Sequence, residues 1–519
     1  YSPDERLLAL DSAPGEEVWA TDAPELRRLI EQPGRGLTST PGFRTMTFSL
    51  YSPDALVFQA QTRMNVVAVS PHNGRKLWSR KKTTNNPNPL WVGDNLLVGI
   101  GERGETLAVE AASGDTLATL NFAKQACARL TATSDSLFCR GWPEGLTRFD
   151  RYTRKVSYNG AVRPSCNDGV IAANGLLYTG PWLCDCNLTL MGRVVMCSAG
   201  DFKFDRLATE AENLEVAVDA ASIEPLEVTE ADWSTYRGNN SRSASSPVAL
   251  PESTYRLWES TPDASFQPTA LATAAGWLFY AGGDGKVRAR EIASSDLKWT
   301  FFTGGPILQP PSVDDGRVFV GSGDGYIYAL EATTGRLLWR FRAAPVERRI
   351  PVYGRMSSTW PVNSGVLAQD GVVYAAAGVI DYDGTYVYAL DAKSGKIKWQ
   401  NVTSGHLNPA LRKGVAAQGV LTIVKGRLWL AGGNIISPAP YDLQTGEYVG
   451  PAVRDGAPQS NRGEEIGVFL DRYILVGGRL RYSAARNVIN PGFFEAHTSS
   501  DERETKRTRL VKGKIPPAW

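Results

Sequence analysis

Apolar and polar residues alternate in short runs along most of the chain, and glycine-containing turns separate these runs. The clearest stretch is residues 318–341. Val318–Val320 is an apolar run, and the glycines within residues 323–325 supply the positive φ that a tight hairpin turn needs. Tyr326–Leu330 alternates large and small side chains with a period of two, which is typical of a half-buried strand. A second turn then leads to Trp339, so the pattern predicts a meander of antiparallel strands.

The same pattern of strand, glycine turn and tryptophan recurs along the chain. The clearest copies end at Trp78 and Trp399, and weaker copies lie around Gly15, Gly114, Trp299 and Gly446. Trp299 and Trp339 lie 40 residues apart, which is the period of a four-stranded propeller blade. We therefore predict an all-β fold, a β-propeller of about eight four-stranded antiparallel blades, with seven as the alternative. Unrelated hairpins in a β-sandwich are the competing hypothesis.

The repeats also carry a family resemblance. The pattern Tyr-Ala-Leu-Asp/Glu-x-x-x-Gly-x-x-x-Trp at Tyr328–Trp339 and Tyr388–Trp399 resembles the repeat of the pyrroloquinoline-quinone-type (PQQ-like) β-propellers. The resemblance implies that the Trp and Gly dock neighbouring blades. This family includes quinoprotein dehydrogenases, a lipoprotein scaffold of outer-membrane assembly and many uncharacterised extracytoplasmic proteins. Asp232–Gly238, followed by Leu257 and Trp258, is similar to the segment that opens many of these propellers. Ser358–Val362 and the cysteine-containing stretch resemble uncharacterised bacterial propeller proteins.

Composition divides the chain into three parts. Residues 1–202 form the predicted first half of the propeller, with a cysteine-containing insertion, and residues 233–519 form the second half. Residues 203–232 are rich in acids and lack glycine, which predicts a solvated connector, or alternatively a segment that attracts a cation or a basic partner. The chain begins at Tyr1 without Met, so we expect a processed, trimmed or fragmentary sequence.

Charge and hydropathy exclude some partners. The formal net charge is +2 with acids and bases interspersed, which does not favour nucleic acid or an anionic membrane. No apolar window is long enough to predict a transmembrane segment.

The six cysteines lie close together in the first half of the chain: Cys127, Cys139, Cys166, Cys184, Cys186 and Cys197. An even, clustered set predicts disulfides in an oxidising compartment, and Cys127 with Cys139 could bridge adjacent strands. Alternatively, Cys166, Cys184, Asp185 and Cys186 form a candidate metal site for zinc or copper, or the thiols are inert. The spacing does not match a c-type haem motif. A residue separates Cys184 from Cys186, so the vicinal disulfide that the resemblance implies for a quinone-binding member cannot form there.

A long insertion between two clear repeats carries the candidate binding residues Arg348, Arg349, Tyr353, Arg355 and Trp360. The guanidinium group of arginine can form two parallel hydrogen bonds to a carboxylate or phosphate, and an aromatic ring can stack on a sugar ring. The alternative is a solvated loop that is packed by its own aromatic side chains. Aspartates also lie in several glycine turns, namely Asp284, Asp324, Asp381 and Asp383, where turn chemistry explains them more simply than calcium does.

No catalytic residue can be assigned from the sequence. Only three histidines are present, and no pairing of a nucleophile with a general base can be identified. We therefore predict a periplasmic, cell-surface or secreted propeller that acts as a binding or assembly scaffold for protein or polysaccharide. The alternative is an oxidoreductase that uses the propeller face and the Cys166, Cys184 and Cys186 region. Such an enzyme would be quinone-dependent or metal-assisted, with PQQ, calcium, zinc or copper as the candidate cofactors, and the sequence singles out none of them.

Overall fold

A computed structural model of the chain describes most of its residues. The described ranges are 6–31, 48–59, 65–81, 83, 89–93, 95–99, 105–123, 128–141, 145–159, 162, 164, 169–180, 194–196, 207–217, 223–261, 266–352, 355–411, 413–432, 436–454, 465–469, 473–477, 481–483, 488–490 and 495–498. The chain divides into two compact units. The first contains Tyr1–Cys184, Met191–Ser198 and Tyr482–Val488, and the second contains Asp185–Leu190, Ala199–Arg481 and Ile489–Trp519.

The first unit consists of consecutive antiparallel sheets, because each apolar run pairs with the next one along the chain. Its elements are β1 (Leu7–Leu10), β2 (Glu17–Thr21), α1 (Pro24–Glu31), β3 (Phe48–Tyr51), β4 (Leu56–Gln59), β5 (Val66–Val69), β6 (Lys76–Arg80), β7 (Leu90–Val92), β8 (Asn95–Gly99), β9 (Thr106–Glu110), β10 (Thr116–Leu120), β11 (Thr131–Ala132), β12 (Ser136–Arg140), β13 (Leu146–Asp150), β14 (Val156–Asn159), β15 (Ile171–Ala173), β16 (Leu176–Thr179) and β17 (Val194–Met196). Strands β3–β6, β7–β10 and β11–β14 are four-stranded meanders, β15–β17 form a three-stranded one and β1 pairs with β2.

The following residues repeat this arrangement. The elements are α2 (Glu210–Asn213), β18 (Leu214–Val216), β19 (Ala272–Ala274), β20 (Trp277–Tyr280), β21 (Lys286–Glu291), β22 (Leu297–Phe302), β23 (Ser312–Asp314), β24 (Arg317–Gly321), β25 (Tyr326–Glu331), β26 (Leu337–Arg342), β27 (Arg349–Val352), β28 (Arg355–Ser358), β29 (Val366–Gln369), β30 (Val372–Ala377), β31 (Tyr386–Asp391), β32 (Ile397–Asn401), β33 (Leu421–Val424), β34 (Arg427–Leu430), β35 (Ala439–Asp442), β36 (Glu465–Phe469), β37 (Tyr473–Gly477), β38 (Arg481–Ser483), β39 (Val488–Asn490) and β40 (Glu495–Thr498). Strands β19–β22, β23–β26 and β29–β32 are four-stranded meanders, and β33–β35 form a three-stranded one. These sheets are propeller blades, as the sequence predicts.

Tryptophans join five of the described sheets to the next one along the chain. Trp339 in β26 is fully buried, and its Nε1 donates a hydrogen bond to the Ala392 carbonyl in the β31–β32 turn at 3.1 Å. Its indole covers Gly395 of that turn, where a Cβ would lie 2.8 Å from the ring. Four other pairs repeat this contact: Trp19 with Gly74, Trp78 with Gly114, Trp299 with Gly335, and Trp399 with Gly446. The docking role that the resemblance implies for Trp and Gly is therefore confirmed.

The core of the second unit lies between successive blades. One cluster gathers Phe319 and Trp339 of the β23–β26 blade with Tyr386 and Tyr388 of the β29–β32 blade. Further clusters lie on the other side of each of these two blades. Both faces of these blades are covered, and β25 and β31 are accordingly apolar up to their last residues, Glu331 and Asp391.

The segment predicted to open the propeller crosses the first strands of four blades. The Trp233 carbonyl accepts a hydrogen bond from the backbone N–H of Thr273 at 2.8 Å, and Ser234 does the same for Val313. Further along, the Asn240 side chain donates to the Ala368 carbonyl at 2.7 Å. Arg242 is buried, and its Nε donates to the Leu421 carbonyl at 3.0 Å. This segment therefore links the blades through hydrogen bonds to backbone atoms of their first strands.

The acidic segment predicted to be a connector is partly fastened to a blade. Within residues 203–232, α2 is followed by β18, which pairs antiparallel with β26 and makes that sheet five-stranded. The sequence pattern allows helix or coil but does not predict a strand there. The pairing depends on basic side chains in β26, more than 100 positions further along the chain. Neither described helix is long and apolar enough to cross a membrane.

Candidate functional site

The insertion with the candidate binding residues forms a hairpin of its own. Strands β27 and β28 pair antiparallel from Arg349 with Ser358 to Val352 with Arg355. The hairpin lies between the outer strand of one blade, β26, and the first strand of the next, β29. Loops that connect propeller strands are the usual place for function, because the blades hold them rigidly.

The base of the hairpin is fixed against the neighbouring blade. The backbone N–H of Ser358 donates to the Gly323 carbonyl at 2.6 Å, and the Ser357 hydroxyl donates to the same carbonyl at 3.1 Å. Ser357, Ser358 and Thr359 are all buried. The base of the hairpin is therefore held firmly against the blade.

Arg348 and Trp360, two of the candidate binding residues, contact one another. The Arg348 guanidinium carbon lies 4.3 Å from the centroid of the Trp360 ring, which is a cation–π distance. Its Nε donates to Thr359 Oγ1 at 2.9 Å. Trp360 is fully buried, and its Nε1 donates to the Asp383 carbonyl at 2.7 Å. Burial lowers the pKa of Arg348, and nearby Asp383 and Tyr386 only partly offset this effect. The pair therefore positions the hairpin, in agreement with a loop packed by its own aromatic side chain.

Arg349 is half-buried beside an aspartate turn. Its Nη2 forms an ion pair with Glu347 Oε1 at 2.8 Å. A Cβ on Gly304 would lie 2.9 Å from Arg349 Nη1 and 2.8 Å from Asp324 Oδ2, so glycine at this position lets both groups approach the backbone. This guanidinium remains partly accessible to a ligand.

Asp324 is occupied by donors of its own blade. Its Oδ2 accepts hydrogen bonds from the Gly304 N–H at 2.7 Å and from the Tyr328 hydroxyl at 2.6 Å, and its Oδ1 accepts one from the Tyr326 N–H at 3.0 Å. Burial, followed by the adjacent Asp324 charge, raises the pKa of Tyr328, so the phenol remains a donor. These three hydrogen bonds explain the presence of Asp324 in the turn without a bound cation.

The other turn aspartates also have donors nearby. Asp284 pairs with Arg288 at 2.5 Å, and Asp381 Oδ2 accepts a hydrogen bond from the Gly414 N–H at 2.7 Å. In the part of the chain that the structure describes, no three His, Cys, Asp or Glu side chains are gathered as a metal would require.

The end of the hairpin presents the exposed groups. Arg355 is exposed, and the neighbouring Met356 is 47% exposed. Tyr353 lies outside the described residues. A cation beside an exposed apolar side chain suits a protein surface, where arginine and methionine are enriched at interfaces.

The cysteine predictions fall largely outside the described residues. Cys139 is buried in β12, with its Sγ 3.9 Å from the Ala123 carbonyl oxygen. The remaining members of the set, Cys127, Cys166, Cys184, Asp185, Cys186 and Cys197, lie outside the described ranges. The disulfides and the metal site therefore stay predictions.

Sequence reasoning missed the contact between the acidic segment and β26. Glu215 in β18 accepts two hydrogen bonds from Arg340, and Asn213 accepts one from Arg342. One sign of this contact is visible in the sequence, since β26 has Arg340 and Arg342 where the equivalent strand β22 has Thr300 and Phe302. The sequence does not show, however, which acidic segment these two arginines contact.

Comparison with known protein families also identifies the PQQ-like repeat that the sequence resembles. The family model described as outer membrane protein assembly factor BamB, a model of PQQ-like repeats, matches residues 62–177 and 248–360. No curated protein matches the chain.

Several solved structures match the chain at low sequence identity. BamB from Moraxella catarrhalis is 11% identical, with 83% of this chain and 89% of that chain covered and a TM-score of 0.23. The computationally designed Ika8 protein is 12% identical, with 79% and 98% covered and a TM-score of 0.23. The designed Ika4 protein is 15% identical, with 38% and 100% covered and a TM-score of 0.27. TM-scores this low carry no argument of their own.

The blades, the repeated Trp–Gly docking and the family match agree with one another. We conclude that the chain is a β-propeller protein, and that its residues 62–177 and 248–360 are similar to the PQQ-like repeats of the BamB family model.

Proposed function

We propose that this protein is an extracytoplasmic scaffold that binds other proteins, and that the β27–β28 hairpin is one of its contact surfaces. The observation that carries the proposal is the contrast within the hairpin. Its base is fixed by Arg348, Trp360 and buried hydroxyl groups, whereas Arg355 and Met356 are exposed. A rigid base reduces the entropy that is lost when the exposed groups bind a partner.

The family match supports a protein partner. The matching family is described as an assembly factor of outer membrane proteins, which is a role outside the cytoplasm that depends on contacts with other proteins. Sugar rings are held on exposed aromatic faces, but Trp360 of this loop is buried. We therefore propose a protein partner for the hairpin rather than a polysaccharide.

Photo-crosslinking tests the proposal. A photoreactive residue replaces Met356, and a second variant carries it at Tyr152, an exposed position in the turn between β13 and β14. After irradiation in periplasmic extract, we expect a discrete crosslinked protein with the probe at 356 but not at 152. Arg355→Glu should weaken that product, because the charge reversal removes the cation at the same surface.

Equal products from both positions, or a product that Arg355→Glu leaves unchanged, would remove the hairpin as a contact surface. The melting temperature of each variant serves as the control for folding.

A further inference from the structure

The outer edge of the β23–β26 blade is covered by the chain itself. Strand β18 pairs with β26 through Leu214 with Phe341, Glu215 with Arg340, and Val216 with Trp339. The Ala217 N–H continues the ladder with a hydrogen bond of 3.0 Å to the Leu338 carbonyl. An outer strand carries N–H and C=O groups that can accept a further strand. We call residues 207–217, which include β18, the strap.

Side chains of β26 select the charge of the strap. Arg340 Nε and Nη2 donate to one oxygen of Glu215 at 2.8 and 2.7 Å. Burial alone would lower the pKa of Arg340, but the Glu215 contact outweighs it and raises that pKa. Arg342 Nη2 donates to Asn213 Oδ1 at 2.7 Å. The outer edge of β26 therefore favours a strand that offers hydrogen-bond acceptors, preferably a carboxylate, to these two arginines.

The adjacent blade recognises the backbone of the strap. The Gln400 amide accepts a hydrogen bond from the Ala208 N–H at 2.9 Å and donates one to the Ala208 carbonyl at 3.0 Å. The Ile397 N–H of β32 donates to Glu210 Oε1 at 3.2 Å. Main-chain pairing combined with a few side-chain contacts is how domains bind extended peptides at a sheet edge.

Comparison with the equivalent strands of the neighbouring blades identifies the selective residue. One position after the docking tryptophan, β26 has Arg340 where β22 has Thr300 and β32 has Gln400. No described strand pairs with the outer edge of β22. The guanidinium of Arg340 thus distinguishes the edge that holds an acidic strand from the edges that do not.

The strand within the strap is short and only partly buried. The strand has only three paired residues, and the Glu215–Arg340 ion pair is largely solvent-accessible, with side chains 58% and 37% exposed. Exposed ion pairs contribute little to stability. Val216 is also exposed, so Leu214, which packs against the core, is the main apolar anchor of the strand.

We propose that the outer edge of β26 is a docking site for an extended acidic peptide of a partner protein, and that the strap occupies this site until the partner displaces it. The peptide pairs with the β26 backbone and places a carboxylate on Arg340. This inference deepens the proposed scaffold function and rests on it for the existence of a partner, but it concerns a surface other than the β27–β28 hairpin.

Peptide binding by fluorescence anisotropy tests the proposal. The probe is a labelled peptide with the sequence of residues 207–217, and the matched control peptide carries Glu215→Lys. An opened protein carries Leu214→Asp and Glu215→Lys in its own strap. We expect it to bind the acidic peptide at least about tenfold more tightly than the native chain does, because a tethered strap competes at high effective concentration.

The charge tests identify the site. The control peptide should bind the opened protein about tenfold more weakly, and Arg340→Thr in the opened protein should abolish the difference between the peptides. A milder variant, Glu215→Lys alone, keeps the Leu214 anchor and replaces the opened protein if that protein fails to fold. Binding of both peptides equally by a folded opened protein, binding of neither, or equal binding to the native chain would overturn the proposal. Photo-crosslinking at residue 356 is unaffected by these variants, so its outcome judges the scaffold function separately.

Discussion

Two turn glycines of one blade allow the cost of backbone strain to be measured separately from the cost of disturbing a docked tryptophan. Gly371 lies in the β29–β30 turn with φ +71°, and Gly395 lies in the β31–β32 turn with φ +73°. A Cβ at Gly371 would meet nothing within 4 Å, whereas a Cβ at Gly395 would lie 2.8 Å from the Trp339 indole and 2.7 Å from the Leu214 side chain. Alanine at the two positions therefore imposes the same backbone strain but different packing.

The expected costs follow from this difference. Alanine in the left-handed region costs about 1 kcal/mol of unfolding free energy, which is the whole effect expected for Gly371→Ala. Gly395→Ala adds overpacking of about 1–3 kcal/mol, because the buried indole cannot turn aside as the end of Leu214 can. We expect Gly395→Ala to be about 2 kcal/mol more destabilising, which corresponds to a melting temperature about 3 °C lower for a unit of this size.

Differential scanning calorimetry of the two variants and the native chain measures this difference. A second pair of variants adds Trp339→Leu, which frees the space above Gly395 at its own cost in stability. In that background the extra cost of Gly395→Ala should largely disappear, since the two residues are in contact and their effects are not additive. Equal melting temperatures for Gly371→Ala and Gly395→Ala, or an extra cost that Trp339→Leu leaves unchanged, would refute the docking argument.

Three further predictions concern other parts of the chain. Arg348→Ala should destabilise the second unit by about 2 kcal/mol and Arg348→Lys by nearly as much, because lysine cannot both stack on Trp360 and bond Thr359; calorimetry and hydrogen exchange of the hairpin measure this. The Asp284 carboxyl is partly desolvated, but its hydrogen bond with Arg288 prevails and lowers its pKa below the ordinary 3.8. Its stabilising contribution is complete above that pH and is lost as the pH falls below it, so Asp284→Asn should flatten the decline in melting temperature between about pH 4 and 2.5. If the six cysteines form disulfides, the mass without reductant should be about six daltons below the reduced mass, and an unchanged mass would contradict the disulfides.

The repeated motif made the blades predictable. Each blade is specified locally by a period-two strand, a glycine turn and a tryptophan, so its strands pair with their sequence neighbours. The docking pairs followed as well, because the family pattern places Trp and Gly at fixed positions in the clearest copies. The site was less predictable. Arg348 and Trp360 were expected as binding residues, but their short separation in sequence does not show that they face each other at the base of a hairpin.

Local patterning was enough to predict an all-β chain of repeated hairpins, because period-two alternation and turn glycines act over a few residues. Which distant segments meet follows only from the folded structure. Glu215 meets Arg340 across more than 100 residues, and Asn240 reaches Ala368 and Ile423 in two separate blades. Such contacts depend on the packing of one blade on the next. This packing brings together residues that are far apart in the sequence and are not related by the repeat.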